Sequence, residues 1–136
     1  MSVRAFFDSN VLVYLFDQAD QAKRTAAARA LEAHEPVISA QVLSEFYWVT
    51  TRKLAHPLTP GAAQAAVAEL SNFEVVPLDS TLVQRAVETS QRHQLSYWDA
   101  LIVEAAARAG CEVLLTEDLS SGSTLRGVRI LDPLAG

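Results

Sequence analysis

LSYWDALIVEAAARAGCEVLLTEDL, residues Leu95–Leu119, decides the fold of this chain of 136 residues. Ser96 begins a helix that is apolar on nearly every face, and the short apolar run Val113–Leu115 follows it. A helix without a polar face is buried, and a short apolar run closed by polar residues is typical of a central strand. If the two pack antiparallel, the helix start with Asp99 and the strand end with Asp118 lie at the same edge of a sheet.

Short apolar runs alternate with helical patterns along the rest of the chain. The other runs with strand character are Val3–Phe7, Pro36–Ser39, Phe73–Val76 and Val128–Leu131. Thr59 and Pro60 are typical of the start of one intervening helix, and either Asp79 or Ser80 caps another. This alternation, without repeats or a linker, predicts a single domain over residues 1–136. The expected fold is an α/β three-layer sandwich around a central, mainly parallel five-stranded sheet.

Composition narrows the possible functions. Half of the residues are hydrophobic and 20% are charged, as in compact globular proteins. The net charge of -5 excludes a broad basic face for non-specific DNA binding, so any nucleic acid would be bound through a local basic patch or bound cations. A single cysteine, Cys111, allows no internal disulfide, and no uncharged stretch approaches the length of a membrane span. We therefore expect a cytoplasmic protein without a membrane segment.

Carboxylates from distant parts of the sequence are expected at the carboxyl edge of the sheet, where open parallel sheets form their binding sites. Asp8 ends the first strand, and Glu45 lies in the second turn of the helix that leaves the second strand. Asp99 and Asp118 join them from the stretch quoted above. Their polar neighbours are Asn10, Thr116 and Glu117. The sequence leaves open whether Glu117 or Asp118 faces the other acids.

Each acid also has a purely structural interpretation. Asp8 and the Ser96-x-x-Asp99 pattern are typical of helix N-termini, whereas Asp118 fits a turn and Glu45 fits a solvated helix surface. Together, however, the acids would repel one another and destabilise the fold unless a cation is present. Mg²⁺ or Mn²⁺ prefers oxygen ligands and suits a carboxylate cluster without histidine. The sequence therefore predicts a divalent metal site.

Other chemistries have weaker support. The histidines lack the spacing of metal ligands, no histidine is placed to form a serine triad, and there is no phosphate-binding glycine loop. An aspartyl-phosphate phosphatase would need an acid where Asn10 stands, and a receiver domain would need a lysine after its last strand, whereas the only lysines are Lys23 and Lys53. The aromatic clusters at 46–48 and 97–98 are more often core or subunit interface than base-stacking surfaces.

Three segments resemble the PIN-domain ribonucleases, specifically the VapC-type toxins of bacterial toxin-antitoxin pairs. They are FFDSNVLVYLF at 6–16, SAQVLSEFYWV at 39–49 and the stretch quoted above, in the order that the family has them. The resemblance covers essentially the whole chain. It implies that Asp8, Glu45, Asp99 and Asp118 form the acidic quartet of the family. Asn10 and Thr116 match its accessory polar positions.

The resemblance implies a nuclease that uses Mg²⁺ or Mn²⁺ to cut RNA, forms a homodimer and is inhibited by a small antitoxin. Asp8, Asp99 and Asp118 would hold the metal, and Glu45 would orient or deprotonate the attacking water. Candidate contacts to the RNA backbone, which are equally well explained as a solvated helix surface, are Lys23, Arg24, Arg52 and Lys53. The alternative function is a non-catalytic regulator that binds RNA or protein and retains a metal-stabilised acidic site.

Overall fold

The protein is a three-layer sandwich built on one sheet, seen in a computed structural model that describes residues 2–135. Within that range the strands are β1 (Val3–Phe7), β2 (His34–Ser39), β3 (Glu74–Val76), β4 (Val113–Leu115), β5 (Thr124–Leu125) and β6 (Val128–Leu131). The helices are α1 (Ser9–Tyr14), α2 (Gln21–Ala33), α3 (Ala40–Arg52), α4 (Pro60–Leu70), α5 (Ser80–His93) and α6 (Tyr97–Arg108). The predicted fold class is confirmed.

The sheet has the strand order β3-β2-β1-β4-β6-β5, and every pair is parallel except β5 with β6. The sequence predicted five strands, and the structure adds the two-residue strand β5. Arg126 and Gly127 form the turn of this hairpin with φ values of 52° and 77°. A strand of two residues is too short to show a periodic pattern, so the sequence pattern does not predict it.

Strand β2 begins at His34, two residues before the proline that was expected to open it. Pro36 pairs with Ala5 of β1 on one side, while the pairing with β3 on the other side starts only at Val37. The missing N–H group of the proline therefore leaves no gap between two paired strands, which is the position where a strand tolerates proline.

The most deeply buried helix is α6, as its composition predicted. All seven residues from Ala100 to Ala106 are buried in the core. Ser96 caps the helix by accepting a hydrogen bond from the backbone N–H of Asp99 at 3.1 Å. Because α6 is buried and capped in this way, its first turn is held in a fixed place at the carboxyl edge of the sheet. No helix within residues 2–135 is both long and apolar enough to span a membrane.

Candidate functional site: an acidic cavity

A cavity of about 900 Å³ opens at the carboxyl edge of the sheet. Its walls are formed by Gln41, Ser44, Glu45, Trp48, Leu78, Trp98, Asp99 and Asp118. We refer to it as the acidic cavity, because three of the four predicted acids line it. The fourth, Asp8, lies next to it, since the charges of Glu45 and Asp118 both act on its carboxylate.

Asp8 is the most enclosed of these acids, with an exposed fraction of 4%. It follows β1 directly and caps α1, and its Oδ1 accepts a hydrogen bond from the backbone N–H of Ser9 at 2.7 Å. Its Oδ2 accepts a second hydrogen bond from the hydroxyl of Thr116 at 2.9 Å. The structural interpretation of Asp8 as a helix cap is therefore correct, and it coexists with a position beside the acidic cavity.

Burial raises the pKa of Asp8 from 3.8 to about 7. The hydrogen bonds from Thr116 and Ser9 favour the charged form, and the negative charges of Glu45 and Asp118 oppose it. Within the described chain, none of the ion pairs involves Asp8. The group is thus a buried acid without a cation to balance it.

Thr116 connects the predicted accessory residues to Asp8. Its side chain is fully buried, and its hydroxyl oxygen accepts hydrogen bonds from Asn10 Nδ2 at 3.3 Å and from the backbone N–H of Asp118 at 3.1 Å. The other end of the Asn10 amide is different, because its Oδ1 is buried without a hydrogen-bond partner. A buried carbonyl oxygen in this state is an acceptor that a cation or a bound water can satisfy.

Glu45 is held by two residues that the sequence analysis missed. Its Oε2 accepts a hydrogen bond from Ser9 Oγ at 3.1 Å, and its Oε1 accepts one from Gln41 Nε2 at 2.7 Å. Gln41 also donates to the carbonyl oxygen of Trp98 at 3.3 Å, which ties Glu45 to the first turn of α6. The four-residue spacing of Gln41 and Glu45 on one helix face was a signal that could have found this contact.

The choice between Glu117 and Asp118 has a geometric answer. Glu117 points to the other side of its loop, where it accepts a hydrogen bond from the Tyr14 hydroxyl at 3.0 Å and pairs with Lys23 at 3.4 Å. Asp118 lines the acidic cavity with Glu45 and Asp99. Of the two neighbours, Asp118 is the one that shares a space with the other acids.

The four basic residues that were predicted to contact the RNA backbone lie in different surroundings. Lys23 is engaged by Glu117 and lies 4.8 Å from the centre of the Tyr14 ring. The guanidinium of Arg52 stacks 3.9 Å from the centre of the ring of Trp48, a residue that lines the acidic cavity. Arg24 and Lys53 are exposed and do not line the cavity.

The donor chemistry of the site suits a hard divalent cation, because all of its candidate ligands are oxygens. Within residues 2–135, however, no three acidic, histidine or cysteine side chains are close enough to hold one ion together. Mg²⁺ keeps several waters and is commonly bound by one or two carboxylates, so this spacing still accommodates it. The unpaired Oδ1 of Asn10 offers a further oxygen. Direct ligation by Asp8, Asp99 and Asp118 stays a prediction.

The fold and the acidic cavity define an α/β protein whose carboxylates gather at one sheet edge. The family model described as PIN domain matches residues 5–120. The chain therefore belongs to the PIN domain family, as its three sequence segments predicted. Comparison of the sequence with curated proteins found no match.

Solved structures with the same fold come from several bacteria. A toxin-antitoxin complex from Klebsiella pneumoniae is 24% identical, with 95% of this chain and 97% of that chain covered and a TM-score of 0.72. VapC20 of Mycobacterium tuberculosis, described as a sarcin-ricin loop cleaving toxin, is 21% identical over 81% of this chain and 86% of that chain, with a TM-score of 0.65. DNA-bound VapBC from Salmonella typhimurium is 20% identical over 96% and 98% of the two chains, also with a TM-score of 0.65.

Proposed function

We propose that this protein is a metal-dependent endoribonuclease and the VapC-type toxin of a toxin-antitoxin pair. The observation that carries the proposal is Asp8, a buried acid that no basic side chain within residues 2–135 pairs with, beside a cavity lined by Glu45, Asp99 and Asp118. A cluster of this kind is unfavourable for stability alone and favourable for holding a divalent ion. The likeness in fold to toxin-antitoxin proteins supports the same proposal.

The four acids have different roles in the proposed hydrolysis of a phosphodiester bond. Asp8, Asp99 and Asp118 would hold Mg²⁺ or Mn²⁺, directly or through waters, and a bound ion would make water more acidic and polarise a phosphate oxygen. Glu45 would orient the attacking water and accept its proton as the water oxygen bonds to phosphorus, and the bond from phosphorus to the 3′ oxygen breaks, with the 3′ oxygen taking a proton from solvent.

The neighbours of these acids position them. Ser9 and Gln41 each donate to one oxygen of Glu45, which fixes the plane of its carboxylate. Thr116 fixes Asp8 in the same way and leaves the Oδ1 of Asn10 free to accept from a bound water. A site held by buried partners of this kind is preorganised, so little reorganisation is needed at the moment of reaction.

The proposed partners follow from the same charge balance. An antitoxin that inserts an arginine into the acidic cavity would neutralise it and block access of RNA. We also propose that the toxin forms a homodimer and acts in the cytoplasm. Co-purification of a small protein with the toxin tests the antitoxin, and replacement of the inserted arginine is expected to release the nuclease activity.

The decisive experiment is cleavage of a mixed RNA pool by the purified protein with Mg²⁺, Mn²⁺ or EDTA. Wild type is expected to cut only with metal, and Asp8→Asn and Asp99→Asn are expected to be inactive. Glu104→Gln is the matched control, because Glu104 is a buried acid outside the cavity. Metal-independent cutting, or full activity of both aspartate variants, would contradict the proposal.

A second candidate function is a non-catalytic regulator that binds RNA or protein. It is favoured by the spacing of the acids, because no three of them within residues 2–135 close on a single ion. A gel-shift assay run beside the cleavage assay separates the two candidates. Retention of RNA without cleavage under every metal would favour the regulator.

A further inference from the structure

The chain has two tryptophans, and both line the acidic cavity. Trp48 is 51% exposed and Trp98 is 64% exposed. Large apolar side chains exposed singly are ordinary, but two tryptophans that share one cavity with three carboxylates mark a binding surface. Any molecule that fills the cavity meets both indole rings and the acids together.

Contacts within the protein hold both tryptophans beside the acids. Trp48 lies on α3 one turn after Glu45, and Arg52 stacks on its ring at 3.9 Å. Trp98 precedes Asp99 in the first turn of α6, and its ring centre lies 5.0 Å from that of Tyr97 at an interplanar angle of 67°. Gln41 fixes the backbone of Trp98 through the hydrogen bond to its carbonyl oxygen.

We propose that Trp48 and Trp98 together form the surface on which unpaired RNA bases next to the scissile phosphate stack. This inference rests on the proposed ribonuclease function. The carboxylates that line the cavity repel a phosphate backbone, and one divalent ion would offset only two of their charges, so part of the affinity has to come from uncharged groups. Indole rings provide it, because every base has a face on which an aromatic ring can stack.

Arg52 adds a positive charge next to the stacking surface, which can bind the phosphate of a nucleotide. Its guanidinium lies over the Trp48 ring, and Arg52 itself is not one of the residues that line the cavity. A phosphate next to the stacked base can meet this positive charge while the scissile phosphate reaches the acids. Bases in a duplex are already stacked and paired, so they are not available to these rings.

Intrinsic fluorescence measures base stacking on the tryptophans directly, because both tryptophans of the chain line this cavity. The protein used is Asp8→Asn with Mg²⁺, in which cleavage is blocked, and the probes are a short single-stranded RNA, an abasic strand of equal length and a blunt RNA duplex. Single-stranded RNA is expected to quench the emission, and the abasic strand and the duplex are not. Equal quenching by the abasic strand, or no quenching by any probe, would overturn the proposal.

Single substitutions assign the effect to each ring. Trp48→Leu and Trp98→Leu are each expected to raise KM for single-stranded RNA by roughly 5- to 100-fold and to change kcat much less. The matched control is Tyr47→Leu, whose ring is 41% exposed on the same helix but lines a separate cavity between α3 and α4. The control is expected to keep the wild-type KM.

The outcomes also distinguish this inference from the ribonuclease proposal. An active wild type whose KM is unchanged in both tryptophan variants removes the stacking role and leaves the nuclease intact. A wild type that neither cuts RNA nor shows quenching in the Asp8→Asn form removes both. If light scattering shows that Trp98→Leu converts a dimer to a monomer while RNA leaves the emission unchanged, the tryptophans belong to an interface between copies, and the stacking role is overturned.

Discussion

Asp8 and Glu104 are both buried carboxylates, with exposed fractions of 4% and 3%, yet their surroundings differ in one respect. Glu104 accepts hydrogen bonds from Arg126 Nε at 2.9 Å and from the Thr89 hydroxyl at 2.8 Å. Asp8 accepts two hydrogen bonds of similar length, from Ser9 and Thr116, and both donors are uncharged. Within residues 2–135, Glu104 therefore has a basic partner and Asp8 has none.

We propose that this difference separates a structural acid from a functional one. Arg126 lies in the turn of the β5–β6 hairpin, so its pair with Glu104 ties this hairpin to α6 and needs nothing from outside. Asp8 faces the charges of Glu45 and Asp118, and burial raises its pKa to about 7. A buried charge without a partner is unfavourable, so the missing positive charge is expected to come from a bound cation.

The largest difference between the two acids is expected when each is replaced by its amide. Asp8→Asn is expected to lower the rate of metal-dependent RNA cleavage by about 1000-fold, because it removes a charge on which the proposed ion depends. Glu104→Gln is expected to leave cleavage within about 2-fold, because Glu104 lies outside the acidic cavity and its partner Arg126 is 41% exposed and stays solvated in the variant. Equal losses in the two variants would mean that both acids act through stability alone.

The second test follows the pH dependence of stability without metal. The folded pKa of Asp8, about 7, exceeds the ordinary unfolded value, so the folded state binds more protons between the two values. The stability from this group is present at low pH and is lost as the pH rises through about 7. Relative to Asp8→Asn, the free energy of unfolding of wild type is expected to fall by up to about 4 kcal/mol between about pH 4 and pH 8.

Chemical denaturation in EDTA at several pH values measures this difference. The comparison with Asp8→Asn removes the contributions of all other titrating groups, because they are common to both proteins. A constant difference across the pH range would show that Asp8 is not a buried acid with a raised pKa.

A third test removes the counter-charge of the structural acid. Arg126→Met leaves Glu104 buried without its cation and is expected to lower the free energy of unfolding by about 3 kcal/mol. The double variant Arg126→Met/Glu104→Gln is the control, since it removes both charges and keeps a side chain at the same positive φ of 52°. It is expected to recover part of the loss, and a double variant less stable than the single one would argue against charge as the cause.

The smallest effect is expected from the support of Glu45. Gln41→Leu removes the donor at 2.7 Å to Oε1 and the link to the Trp98 carbonyl, while Ser9 still holds Oε2. We expect a roughly 10-fold loss of kcat with KM changed less, because partners of this kind orient a catalytic group without touching the substrate. Steady-state kinetics measures the split, and a loss confined to KM would assign Gln41 to substrate binding.

Much of the fold could be predicted from the sequence. Apolar runs bounded by polar residues identified the parallel strands, and the almost wholly apolar stretch in α6 identified the buried helix. Thr59 was expected to cap α4, and it accepts a hydrogen bond from the N–H of Ala62 at 3.1 Å. The strand β5 and the true start of β2 were not predictable, because they depend on which neighbour each strand finds rather than on the local pattern.

The candidate site could be predicted only in outline. Strand order brought the acids to one edge, but periodicity says nothing about which way a side chain turns within a loop. The separation of Glu117 from Asp118 depends on Tyr14 and Lys23, which lie about a hundred residues earlier in the chain. The interpretation of the tryptophans as core or interface also lacked this information, because their exposure is a property of the folded surface.

We propose that the acidic cavity is a cation site. Thermal unfolding of the metal-free protein at about pH 8, with and without added Mn²⁺, measures whether an ion binds there. An ion at about 100 times its dissociation constant stabilises the folded state by about 2.7 kcal/mol. Mn²⁺ is predicted to raise the Tm of wild type and of Glu104→Gln, and to raise the Tm of Asp8→Asn much less. No rise in wild type, or an equal rise in Asp8→Asn, would contradict the account.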